Sequence, residues 1–142
     1  PLVRRLELAK QAADLHTAQL TQMVVHEVVK DGFLDQHIPT IRTLYGNQCQ
    51  AMLDAMEQHF PKGVTWTRPE GGMFIWVTLP KHIDAMKLLD VSLAAKVAFV
   101  PGAPFYANDA PTNTLRLSFV TVPPERIREG IAILGKLIAA QM

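Results

Sequence analysis

The sequence predicts a two-layer α+β fold: a small mixed or antiparallel sheet of about four strands, covered by helices on one face and preceded by long N-terminal helices. Three observations carry that expectation. Apolar residues recur at helical spacing through residues 2–60 and again over 83–95 and 124–140. Strict alternation marks residues 73–79 and 114–120, and turns rich in Pro and Gly separate the two kinds of segment.

The first helix is expected over residues 2–13, with Leu2, Leu6, Ala9 and Ala13 on one stripe and a break at Asp14 and the Leu-His-Thr that follows. Thr17 is the expected N-cap of a second helix that reaches Lys30, with Leu20, Val24 and Val28 aligned. Gly32 in Asp-Gly-Phe suits the left-handed residue that ends it. A third helix is expected from His37 to Phe60, where Ile38, Ile41, Tyr45, Cys49, Met52, Met56 and Phe60 are spaced by three or four. Pro39 fits its first turn, and Gly46 leaves room for a kink.

Beyond the Pro-Lys-Gly turn at 61–63 the period changes. "VTWTRP" reads as a short strand, Glu70-Gly71-Gly72 as a turn, and "MFIWVTLP" as a strong strand that Pro80 ends. Alternation assigns Met73, Ile75, Val77 and Leu79 to the core and leaves Phe74, Trp76 and Thr78 on the opposite face. A helix over 83–95, the short strand "VAFVPG" and a loop rich in Pro, Ala, Asn and Asp lead to "TNTLRLSFV". There Leu115, Leu117 and Phe119 point one way, and Thr114, Arg116, Ser118 and Val120 the other. An amphipathic helix with Pro124 near its first turn closes the chain.

Composition removes several classes of function. The formal net charge of +1 leaves no basic footprint for nucleic acid or an anionic membrane surface, and no apolar run approaches the length of a membrane span. Cys49 is the only cysteine, which excludes an internal disulfide, points to a reducing cytoplasmic setting, and suits a small core hydrophobe. "HEVVK" at 26–30 starts like a zinc-protease helix, but Lys30 stands where the second histidine is needed. Phosphate-cradling glycine loops and serine elbows are missing, and the five histidines are scattered.

What remains is an arginine in the middle of a strand. It faces away from the apolar stripe, so it meets either solvent or the wall of a site for an anion. If its strand and 73–79 share one sheet, Phe74, Trp76 and Arg116 lie on the same off-core face. The planar guanidinium matches a carboxylate with two parallel hydrogen bonds. The aromatics serve either that pocket or an interdomain or dimer contact.

"RPEGGMFIWVTLP", "VAFVPGAPFY" and "NTLRLSFV", in this order and spacing, resemble the C-terminal segment of class I/II aminotransferases, the fold type I pyridoxal-phosphate enzymes, and most of all their 2-aminoadipate and kynurenine aminotransferase-like branch. "LAKQAADLHTAQLTQ" resembles the segment after that family's cofactor lysine, so the likeness covers essentially the whole chain. The resemblance implies that Arg116 binds the substrate α-carboxylate, that Phe74 lies near substrate, and that the region of His16 and Thr17 lies near a subunit interface. It also implies pyridoxal 5'-phosphate in a full-length parent, amino acid and 2-oxo acid substrates, a homodimer, and an N-terminal large domain outside this sequence.

One departure bears on activity: no Ser-x-x-Lys stretch is present to form the cofactor's Schiff base. Lys96, in "LAAKVAFV", has apolar neighbours but reads as a helix-end lysine. Residues 1–34 are therefore expected to be connecting helices and 35–142 a C-terminal small domain, inactive alone and with no cofactor bound to this chain by itself. Pro1 is not an initiator methionine, which fits part of a longer protein. The competing expectation is a stand-alone α+β module that binds a small carboxylate or a partner protein.

Overall fold

The computed structural model describes residues 2–142, so Pro1 lies outside it. The elements follow the expected order: helices α1 (Leu2–Ala13), α2 (Gln19–Val29) and α3 (Phe33–His59); strands β1 (Thr65–Trp66) and β2 (Phe74–Thr78); helix α4 (Ala85–Ala94); strand β3 (Val100–Pro101); a 3-10 turn (Ala103–Phe105); strand β4 (Thr114–Ser118); and helix α5 (Pro124–Ala139). The chain divides into two compact units, one ending at Ile41 and the other running Arg42–Met142.

In the first unit the helices form where periodicity places them, but their ends differ. Ala18, not Thr17, is the N-cap of α2, and it makes no side-chain cap bond. Thr17 contributes its carbonyl instead, accepting a hydrogen bond from Gln22 Nε2 at 3.0 Å. The stripe of Leu20, Val24 and Val28 is exposed. Gly32 takes the expected left-handed conformation at φ +77°, preceded by Asp31 at φ +61°. Because the Gly32 carbonyl accepts from the Gln36 N–H, α3 begins immediately, at Phe33 rather than His37. Pro39 therefore lies inside the helix, where its fixed φ is compatible with the α conformation although it supplies no backbone donor. The helix also continues without a break through Gly46.

The second unit is built on an antiparallel four-stranded sheet in the order β1-β2-β4-β3. The long central pair sets the register: Phe74 opposite Ser118, Ile75 opposite Leu117, Trp76 opposite Arg116 and Val77 opposite Leu115. Ile75, Val77, Leu115 and Leu117 form the inner face and pack with Met52 and Met56 of α3, Leu88 of α4, and Ile127, Ile131, Leu134 and Ile138 of α5. Removal of this apolar surface from water is the main stabilising term. Cys49 packs partly buried against that cluster, and desolvation pushes its thiol pKa up, which suits a packing role.

One alternation assignment needs correction, and one outer-face residue is covered. Met73 is exposed rather than core because β2 begins one residue later, leaving Met73 in the glycine turn with its carbonyl accepting from the Phe119 N–H. Thr114 is on the outer face but is buried, since Gly102 packs directly onto it. Strands β1 and β3 are also shorter than their apolar runs, two residues each.

Helix α4 starts at Ala85 because the Asp84 carboxylate accepts from the N–H groups of Met86 (2.8 Å) and Lys87 (3.4 Å). Asp84→Ala is expected to cost about 1 kcal/mol, read as a lower denaturation midpoint, with Asp84→Asn recovering most of it. No helix among the described residues is long and apolar enough to cross a membrane.

Candidate functional site

The outer face of the central strand pair carries the residues that alternation singled out. Arg116 projects from β4 between Trp76 of β2 and Val100 of β3, its two cross-strand neighbours. Its Cζ lies 4.0 Å from the centroid of the Phe74 ring, so the two sequence-predicted site residues are in direct contact. A second ring, Phe105, lies 4.7 Å from the same carbon. Both distances are within cation–π range.

Phe105 and its neighbour Tyr106 are additions the sequence did not supply. They come from the segment after β3, where the Gly102 N–H donates to the Thr114 carbonyl (2.7 Å) and the Gly102 carbonyl accepts from the Phe105 N–H (3.0 Å). Trp76 meets Phe105 edge to face at 5.6 Å between centroids and Tyr106 at 6.1 Å. The Pro-Phe-Tyr after Val-Pro-Gly was the available signal, but a 3-10 turn of three residues has no periodicity that assigns it a face.

Arg116 is half-buried. The ion pairs among the described residues join exposed side chains such as Lys10 with Asp14 and Arg68 with Glu57, and none of them uses Arg116. Its charge is thus met by the faces of two rings rather than by a carboxylate. The N–H donors on the edge of the guanidinium fork are left for an incoming acceptor.

A groove of about 700 Å³ opens beside it, lined by residues 95–100 leading into β3, by residues of β4 and by residues of α5. Phe74, Arg116, Ser118 and Thr121 contribute to its wall together with Lys96 and the pair Arg126–Glu129. The single carboxylate in this wall is held by Arg126 at 2.6 Å, so the groove carries a surplus of positive charge. Lys96 follows the C-terminus of α4 in the left-handed conformation at φ +65°, as a helix-end lysine. Lys30 of "HEVVK" is ion-paired with Glu27. The arrangement is suited to an organic anion with an apolar body: a planar cation for a carboxylate, with aromatic walls beside it.

Residues 5–134 match the family model described as aminotransferase class I and II. Aromatic-amino-acid aminotransferase 1 of Thermococcus litoralis is 47% identical over 140 residues, covering 99% of this chain and 34% of its own length. 2-Aminoadipate transaminase of Thermus thermophilus is 48% identical over 136 residues, 96% of this chain and 34% of its own. In structure the chain resembles the α-aminoadipate aminotransferase of Thermus thermophilus, complexed with N-(5'-phosphopyridoxyl)-L-leucine, at TM-score 0.84 and 46% identity, covering 99% of this chain and 36% of that one. The chain spans about a third of the length of these relatives.

Proposed function

The chain belongs to the class I and II aminotransferases, and on that premise we propose that it is the C-terminal segment of an amino-acid:2-oxo-acid aminotransferase, in which Arg116 binds the substrate α-carboxylate and Phe74 forms part of the adjoining wall. The observation that carries this reading is a half-buried arginine without an ionic partner among the described residues, stacked on Phe74 and opening onto a groove of net positive charge. Both an amino acid and a 2-oxo acid present an α-carboxylate, so one fork serves both half-reactions. 2-Oxoglutarate is the proposed amino acceptor.

The residues described here do not by themselves fit pyridoxal 5'-phosphate. The sequence has no Ser-x-x-Lys stretch, and the only acid in the groove wall is engaged by Arg126, which leaves no free carboxylate there for a pyridine nitrogen. The cofactor is therefore assigned to the remainder of a full-length parent. The share given to this chain is to bind and orient the carboxylate and to line the substrate chamber.

The test is to incubate the full-length parent with an α-amino acid and follow its visible cofactor band, then to add 2-oxoglutarate and watch the band return. The 142-residue chain is expected to catalyse neither step. A parent that binds small carboxylates at Arg116 but never exchanges an amino group would overturn the aminotransferase reading and leave a carboxylate-binding role for this segment.

A further inference from the structure

We propose that Phe105 is a positioning residue for Arg116, clamping the guanidinium against Phe74 so that its fork is already aimed when a carboxylate arrives, and that Gly102 is the seat that allows this clamp to form. The proposal rests on the carboxylate-binding reading of Arg116 and adds to it the groups that hold the arginine still.

The geometry is a chain of aromatic contacts that ends on the guanidinium. The Phe74 ring centroid lies 4.0 Å from the guanidinium carbon, that of Phe105 4.7 Å from it, and Trp76 abuts Phe105 edge-on at 5.6 Å. An arginine side chain has several rotors, and ordering it at the moment of binding subtracts from affinity. Rings at its faces restrict those rotors in advance and leave the edge donors unused. A carboxylate then meets an arginine already ordered.

Phe105 is itself half-exposed, so core burial does not explain its placement. Its seat does. Gly102 extends the β3–β4 pairing by one hydrogen bond to Thr114 and then accepts the bond that closes the 3-10 turn. A Cβ at Gly102 would run into Thr114 Oγ1 and would stand 2.8 Å from both Thr114 Cβ and Trp76 Cζ2. Gly102 has an ordinary helical φ of −79°, so what it provides here is space and not an unusual backbone angle. Any larger residue lifts the turn from the sheet and carries the Phe105 ring away from Arg116.

The experiment is steady-state kinetics on the full-length parent carrying Phe105→Leu, Phe105→Tyr or Arg116→Ala, with donor and acceptor KM measured separately. Phe105→Leu is expected to raise KM for the amino acid and for 2-oxoglutarate by the same factor, about three- to tenfold, the size of a partly solvated cation–π contact, with kcat little changed. Phe105→Tyr is expected to keep both KM values near those of the native protein, because it restores the ring. Loss of kcat with unchanged KM in Phe105→Leu, or an equal loss in Phe105→Tyr, overturns the proposal. If Phe105→Leu changes nothing while Arg116→Ala raises both KM values, the clamp is wrong and the carboxylate site stands. If Arg116→Ala also leaves both KM values unchanged, the underlying reading of the site fails.

Discussion

Arg116→Ala in the full-length parent is expected to lower kcat/KM for α-amino acids by about 100- to 10,000-fold while the visible absorbance of the cofactor is retained. The range follows from two charge-assisted hydrogen bonds, each contributing about 1.5–3 kcal/mol in a shielded site, at about 1.4 kcal/mol per factor of ten. Shielding is the relevant condition here, since the guanidinium is half-buried against two rings and competes with less water than a free surface arginine. Arg116→Lys is expected to recover only part of the loss, because a point charge on a flexible stem cannot present two parallel donors. An alanine variant with native kcat/KM would remove Arg116 from the substrate site.

Gly135→Ala is expected to destabilise the chain by on the order of 3 kcal/mol. Gly135 is buried in α5 where that helix crosses the end of α3, and an added Cβ would strike the His59 carbonyl oxygen and stand 3.0 Å from the carbon behind it. The obstacle is backbone and cannot rotate aside. Alanine's better helix propensity returns at most about 1 kcal/mol, so the clash wins. Gly130, five residues earlier in the same helix, is the internal control: a Cβ there meets nothing within 4 Å. Gly130→Ala is expected to stabilise by about 0.5–1 kcal/mol. The same substitution in one helix thus has opposite signs, and urea denaturation of both variants measures the difference.

Much of this site is legible in the alternation of its strands. Leu115, Leu117 and Phe119 are buried and Arg116 shares its outer face with Phe74 and Trp76, because a strand within a sheet has only two faces and one apolar stripe determines both. The rule gives a face only within a strand, and it does not say what covers that face. Met73 continued the apolar alternation but lay in the turn, and Thr114 kept its face but was covered by a glycine twelve residues before it. Phe105 was out of reach for the same reason: its position depends on what Gly102 touches, a tertiary fact with no local period. Helix periodicity likewise found α1 and α2 but could not say whether their apolar stripes are covered; Leu20, Val24 and Val28 are exposed. The structure starts α3 four residues before the His37 that periodicity marks, because the left-handed pair Asp31–Gly32 closes the turn after α2 and Phe33 opens the next helix directly.

The brevity of the two outer strands has a bearing on colloidal behaviour. A β-sheet rim is a template on which other chains can extend the ladder of hydrogen bonds, and long flat rims seed fibrillar deposits. Here one rim offers Thr65 and Trp66, and the other offers Val100 followed by Pro101, which has no N–H to donate. The long strands β2 and β4 are enclosed between them. Concentrated solutions of this chain are therefore expected to show no thioflavin-positive cross-β growth, and whatever self-association they show should proceed without the addition of strands.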